Sequence, residues 1–184
     1  MKEMTVKRRV DKFEKIKRKG QGFSSTSPSN IKTIIPISVG EWKDVDPGVV
    51  QEDTVAHCGS TLAGDFVYTL NATDVPTLWN TLRAQWNKGQ EATRANEEFV
   101  RNNLPFLYLR RHTDTGSEFI NYGAKDWGDS HSIKLTRSRP YKKNDNPHIE
   151  ERNGHIVRKY VGYIRLDARE TVDMLNNLYA ILNL

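Results

Sequence analysis

Cysteine is nearly absent from this chain of 184 residues, in which Cys58 is the only thiol. A single cysteine excludes an internal disulfide framework and a cysteine-rich zinc site. Long apolar runs are absent as well: no stretch of about 18 apolar residues occurs, which excludes a membrane-spanning helix. The first nineteen residues contain nine basic side chains and no apolar segment like that of a secretory signal. We therefore expect an intracellular protein without a transmembrane segment, in the nucleus, the cytoplasm or a virion.

Recognisable metal and cofactor motifs are also missing. The five histidines are scattered without a His-x₃-His spacing, and no glycine-rich phosphate loop is present. The sequence therefore predicts no metal site and no cofactor, and no motif identifies an enzyme. Hydrophobic residues make up 36% of the chain, which is low for a globular protein but enough for the core of a single domain.

Positive charge is concentrated at the amino end. Residues 1–20 contain nine basic and three acidic side chains, a balance of +6, and the remaining 164 residues balance to −1. A short cationic segment is suited to binding a polyanion, because each neutralised phosphate releases counterions without any need for a base sequence. The cations that we expect to contact phosphates here are Lys7, Arg8, Arg9, Lys12, Lys15, Lys17, Arg18 and Lys19.

The chain divides by composition into three parts. Residues 1–20, which we call the basic arm, place apolar side chains on one face of a predicted amphipathic helix. Residues 21–30 are uncharged and serine-rich, which is typical of a flexible linker. Residues 31–184 form the predicted body. A basic terminus also occurs as a solubility or localisation tail, and that alternative stays open.

The body is predicted to be an α+β domain. Its sheet is expected to be mostly antiparallel, with a central helical segment and a C-terminal helix packed on it. Acidic residues in 41–53 are assigned to a loop. Strands are expected at 31–39, 65–70, 106–111, 118–122, 132–139 and 155–166, and helices at 74–104 and 167–182.

A second basic segment follows His131, with an aromatic side chain among its cations. Interleaved basic and aromatic residues are typical of a groove for single-stranded nucleic acid. The alternative is an edge strand whose cations prevent aggregation. The residues expected to contact nucleic acid here are Lys134, Arg137, Arg139, Tyr141, Lys142 and Lys143.

These features predict a nucleic-acid-binding protein that self-assembles and packages its ligand. A basic arm on a neutral body resembles the architecture of the coat or nucleocapsid proteins of small viruses. The expected partners are nucleic acid, with RNA favoured over DNA, and further copies of this chain. One alternative is a metal-dependent nuclease that uses Glu118, Asp126 and Asp129 with Lys134. The other is a regulatory RNA-binding or protein-interaction module.

Overall fold

A computed structural model describes residues 30–39, 42–140 and 145–183. The whole basic arm, and Tyr141, Lys142 and Lys143 of the second basic segment, lie outside the described residues. From Ile31 onward the chain forms one compact unit. Its strands are β1 (Val49–Ala56), β2 (Val67–Asp74), β3 (Asn80–Trp86), β4 (Arg110–Thr113) and β5 (Lys134–Arg137).

Within the described residues, six α-helical segments accompany the sheet. They are α1 (Ile31–Ile34), α2 (Gln90–Asn103), α3 (Tyr122–Ser130), α4 (Pro147–Arg152), α5 (Lys159–Val161) and α6 (Glu170–Leu182). A π-helical segment, Asn153–Arg158, joins α4 to α5 without a break. No helix in the described ranges is long and apolar enough to cross a membrane.

The five strands form one mixed sheet in the order β3-β2-β1-β4-β5. The pairs β1–β2 and β2–β3 are antiparallel, whereas β1–β4 and β4–β5 are parallel. The chain builds one half of the sheet outward from β1, crosses over through α2, and builds the other half from β4. The predicted α+β class is confirmed, and half of the strand pairings are parallel because helices supply the crossovers.

Helices cover both faces of the sheet because side chains alternate along each strand. On the first face, Val50 of β1 packs in a core with Val100 of α2 and Trp127 of α3. On the second face, Val55 of β1 packs with Val157 of the π-helical segment and Tyr179 of α6. Strand β1 therefore lies at the centre, buried from both sides.

Two predicted elements have the opposite secondary structure near the start of the body. Residues 31–34 are helical, because Ile31 and Ile35, spaced by one turn, both point into the core. The first half of the helix predicted at 74–104 is instead a turn followed by β3, and the second half is confirmed as α2. The Asp74 side chain accepts hydrogen bonds from the backbone N–H of Gly48 and of Thr77 at 2.7 and 3.1 Å, so it stabilises the turn.

Two predicted strands have another structure: one is a turn and the other is mostly helical. Residues 118–122 lead into α3, whose first turn is capped by Asn121, and its side chain accepts from the backbone N–H of Ala124 at 2.8 Å. Residues 155–161 continue the helix begun at Pro147, and Gly162 ends it with φ of +79°. The predicted C-terminal helix is confirmed as α6, and β5 lies inside the predicted 132–139.

Candidate functional site

A cavity of about 390 Å³ opens where the parallel strands β4 and β5 end. Its walls include three carboxylates, from Asp53 on β1, Asp114 just after β4 and Glu150 on α4. The parallel register pairs Glu52 with Thr113, so Asp53 and Asp114 are the next residues on adjacent strands. In open α/β sheets, ligands bind at the carboxyl ends of the strands where the strand order reverses, and the β1–β4 boundary is such a place.

Asp53 is the most enclosed of the three carboxylates. Its Oδ1 accepts from the backbone N–H of Thr54 at 2.7 Å, and its Oδ2 accepts from Asn153 Nδ2 at 2.9 Å. Both donors are neutral. Burial raises the pKa of Asp53 to about 6, and the negative charges of Asp114 and Glu118 add to that increase. The fold thus holds an acidic group where its own negative charge is destabilised.

Among the described residues, no cation forms an ion pair with these three carboxylates. Within residues 30–39, 42–140 and 145–183, none of the ion pairs includes Asp53, Asp114 or Glu150. A partly buried carboxylate with a raised pKa beside a second carboxylate, without a basic partner, is an arrangement found at functional sites. The charge is therefore available to a cation from solution.

The other two carboxylates are exposed at the cavity and held by their backbones. Asp114 begins a turn in which its Oδ1 accepts from the backbone N–H of Gly116 at 2.8 Å. Glu150 lies in the first turn of α4. That helix is fixed to the central strand, because the backbone N–H of Ile149 donates to Gln51 Oε1 at 3.1 Å and the Ile149 side chain is fully buried.

These residues fit a hard divalent cation, which prefers oxygen ligands. Asp53 and Asp114 supply carboxylate oxygens, and the side-chain oxygen of buried Asn146 on the same cavity wall accepts no hydrogen bond from the described protein groups. Across the described ranges no three acidic, histidine or cysteine side chains converge enough to enclose an ion. Mg²⁺ does not require that, because it keeps several waters and is often held by one or two carboxylates and substrate phosphates.

The rim of the cavity carries positive charge as well. Lys32 of α1 and Arg139, which follows β5, both line it and are exposed. The Arg139 guanidinium is oriented by Asp145, whose carboxylate accepts from Nη2 at 2.8 Å and from Nε at 3.0 Å. A cavity lined by both carboxylates and basic side chains suits a phosphodiester, with the carboxylates near a divalent cation and the lysine and arginine near the remaining phosphate oxygens.

The second basic segment is split by the fold. Arg137 is buried, and its guanidinium donates to the backbone carbonyls of Ile35 and Lys32 at 3.0 and 2.5 Å, which ties α1 to β5. Lys134 is exposed at the start of β5, away from the end that meets the cavity. Of the six residues predicted in this segment, Arg139 is the one that lines the cavity among those described. Contact of these cations with nucleic acid stays a prediction.

The predicted nuclease set is not brought together. Asp126 and Asp129 are exposed on α3, where Asp129 pairs with Lys125. Glu118 is buried and lies 3.5 Å from Lys88 Nζ. Of the three, Glu118 alone is close enough to the cavity to influence the pKa of Asp53.

Sequence reasoning missed Asp53, Asp114 and Glu150 as a group. Asp53 was assigned to an acidic loop, although residues 49–55 contain the β-branched residues typical of a strand. An acidic residue inside such a stretch is the signal that could have found it, because a charge in a central strand requires a partner or a ligand. The other two acids carry no such local signal.

Comparison with known proteins gives a relative without an assigned role and a similarity of fold. No family model matches the chain. An uncharacterized protein of Sinorhizobium fredii, y4rM, is 33% identical over 181 residues. The alignment takes in 98% of this chain and 52% of y4rM, so this chain spans about half the length of that relative.

Among solved structures, the chain is similar to one in the cryo-EM structure of the simian T-cell lymphotropic virus intasome in complex with PP2A regulatory subunit B56 gamma. The TM-score is 0.54 and the sequence identity 16%, over 67% of this chain and 43% of the other. At that identity the similarity concerns the fold alone.

Proposed function

We propose that this protein cleaves or transfers phosphodiester bonds of nucleic acid with the help of a divalent cation held at Asp53 and Asp114. The observation that carries the proposal is the position of Asp53: a partly buried carboxylate at the end of β1, beside a second carboxylate and a cavity, with only neutral hydrogen-bond donors in the described residues. The residues of this proposed site are all different from those of the nuclease site predicted from the sequence. The reaction class is the one that the sequence left as an alternative.

A bound divalent cation would polarise the phosphoryl oxygens and lower the pKa of a water molecule. The residues of this chain have separate tasks around it. Asp53 and Asp114 would hold the cation, and Glu150 would provide a third carboxylate of the same cavity for a ligand contact or for accepting a proton from water. Lys32 and Arg139 neutralise the phosphate oxygens that face the rim.

Two observations support nucleic acid as the substrate. The basic arm carries a charge of +6 and precedes Lys32, which lines the cavity, by a short linker. A chain with the same fold comes from a viral intasome complex. Binding through the arm would add affinity that depends on salt and not on sequence.

The test is a cleavage and strand-joining assay on labelled single- and double-stranded DNA and RNA, with Mg²⁺ or Mn²⁺ and with EDTA. We expect metal-dependent products whose yield falls by about 10²–10³-fold in Asp53→Asn and Asp114→Asn, a loss of the size typical when charge stabilisation at a reacting centre is removed. The matched controls are Asp126→Asn and Asp129→Asn, which remove exposed carboxylates outside the cavity. Equal loss in both pairs, or activity that persists in EDTA, would contradict the proposal.

The packaging role predicted from the basic arm stays a prediction, since the arm lies outside the described residues. Sedimentation of the full chain tests it: a packaging protein migrates as a large species with a raised ratio of absorbance at 260 to 280 nm. Deletion of residues 1–20 should then release the nucleic acid and leave the fold intact.

A further inference from the structure

A row of three asparagine side chains crosses the sheet and ends at the Asp53 carboxylate. Asn80 Nδ2 on β3 donates to Asn71 Oδ1 on β2 at 2.6 Å. Asn71 Nδ2 donates to Asn153 Oδ1 at the start of the π-helical segment at 2.7 Å. Asn153 Nδ2 donates to Asp53 Oδ2 at 2.9 Å. Each amide thus donates its NH₂ group toward Asp53 and accepts through its oxygen from the preceding amide.

The groups at both ends of the row determine this donor-to-acceptor direction. At the far end, Asn80 Nδ2 also donates to the backbone carbonyl of Ala72 at 3.3 Å, and a carbonyl can only accept. At the near end, an ionised Asp53 can also only accept. An amide flip at Asn71 or Asn153 would place two oxygens or two NH₂ groups against each other. The orientation of Asn153 is therefore determined from two sides.

The row is well shielded and tied to the helix that bears Glu150. Asn71 and Asn80 are buried within the sheet, with 0% and 3% of their surface exposed. Asn153 lies one turn after Glu150, where α4 widens into the π-helical segment. Such widened turns are frequent at functional sites because they redirect a side chain without ending the helix. Here the widened segment places Val157 in the core and leaves Asn153 facing β1.

We propose that Asn153 is a positioning residue that fixes the plane of the Asp53 carboxylate for cation binding, and that Asn71 and Asn80 hold Asn153 in place. With Oδ1 bonded to Thr54 and Oδ2 to Asn153, each carboxylate oxygen retains a lone pair of fixed direction for a ligand. Groups that orient metal-binding carboxylates typically change affinity by about 10–100-fold when removed. The inference rests on the proposed function, because it assumes that Asp53 binds the cation.

The experiment measures binding of Mn²⁺ to the full chain by electron paramagnetic resonance, with thermal unfolding recorded in parallel. We expect Asn153→Ala to weaken Mn²⁺ binding about tenfold and Asn71→Ala to weaken it less, because Asn153 keeps its own bond to Asp53. The double variant should match Asn153→Ala alone. Asn153→Leu, close to isosteric, serves as a second variant if alanine prevents folding.

The matched control is Asn176→Ala. Asn176 also bridges a helix to the sheet, because its Oδ1 accepts from the backbone N–H of Ala84 at 2.8 Å, but it is not part of the asparagine row. It should lower the melting temperature without changing Mn²⁺ affinity. Mn²⁺ binding by folded Asn153→Ala and Asn153→Leu within twofold of wild type, when Asp53→Asn abolishes it, would overturn the positioning role alone. Unchanged binding in Asp53→Asn would overturn the proposed function and this inference with it.

Discussion

Two neighbouring acids on β1, Glu52 and Asp53, face opposite sides of the sheet and meet opposite surroundings. Glu52 is fully buried, with Arg111 Nε at 2.9 Å and the Tyr108 hydroxyl donating to it at 2.7 Å. Arg111 Nη2 lies 2.7 Å from a second buried acid, Glu97. Asp53, one residue on, has neutral hydrogen-bond donors and an open cavity.

The difference separates a structural acid from a candidate ligand. In the sealed cluster of Glu52, Glu97 and Arg111, the protein supplies both the charge and its partner, at the cost of desolvating all three groups. Burial raises the pKa of Glu97 to about 8 and raises that of Glu52, so one guanidinium faces a pair that retains a proton near neutrality. Asp53 has no cationic partner in the described part of the chain, so a cation that balances its charge would come from solution.

The largest expected effect comes from removing the partner of the sealed cluster. Arg111→Met would leave two carboxyls buried without a cation, and breaking a buried pair in this way costs about 3–5 kcal/mol. The free energy of unfolding, from urea titration, should fall by that amount. Arg139→Met, which removes a half-exposed cation that lines the cavity, should lower it less, because solvent screens the charge of an exposed guanidinium. Similar losses in both variants would remove the distinction between the two environments.

Asp53→Asn should have the opposite effect on stability. The pKa of Asp53 is raised from 3.8 to about 6, so the folded state loses stability as the pH rises from 3.8 through 6 and the group ionises. At pH 7 the amide avoids that cost, which is up to about 3 kcal/mol at 1.4 kcal/mol for each pKa unit. Its NH₂ group, however, faces a donor, either the Thr54 N–H or Asn153 Nδ2, so one hydrogen bond is lost and we expect a net gain of about 1 kcal/mol. The melting temperature should rise in EDTA, and Mg²⁺ should stabilise the wild type but not the variant. A variant less stable than wild type in EDTA would place Asp53 with the structural acids.

The sequence predicted the fold class, and it predicted correctly those elements whose spacing of apolar residues fits either a helix or a strand but not both. The apolar stripe of α6 has only the helical spacing, and it was assigned correctly. Leu78, Leu82 and Trp86 are spaced by four, which is one helical turn and also two strand repeats, so the pattern could not exclude β3. The parallel pairings depend on crossovers that no local pattern shows.

The site could not be assembled from sequence for the same reason. Asp53 and Asp114 become neighbours only because β1 pairs with β4, and Glu150 joins them only because α4 docks on Gln51 of β1. By contrast, Asp126 and Asp129 were predicted as part of a nuclease site only because they are close in sequence. Their places on the exposed face of α3 show that spacing in sequence is a poor guide to convergence when helices and parallel strands intervene.

A smaller effect tests the sealed cluster by pH. Glu97 has a pKa raised from 4.5 to about 8, so its contribution to stability is greatest below pH 4.5 and is lost as the pH rises through 8. Glu97→Gln removes this titration. We expect the stability of the variant relative to wild type to improve steadily between pH 5 and 9 in urea titrations, with a slope absent from Glu98→Gln, which changes a more exposed neighbour on α2. A parallel pH profile in wild type and Glu97→Gln would mean that the cluster does not retain its proton.

The smallest effect concerns the charges around the cavity. Lys88 lies 3.5 Å from Glu118, whose negative charge raises the pKa of Asp53. Lys88→Met removes a positive charge from this neighbourhood and should tighten Mn²⁺ binding about twofold at low salt, whereas Glu118→Gln should weaken it by a similar factor. Both changes should fade at about 1 M salt, where charges are screened beyond about 3 Å. If the two variants shift the affinity in the same direction, Glu118 acts on Asp53 through packing and not through charge, and the cavity is not the electrostatic counterpart of the sealed cluster.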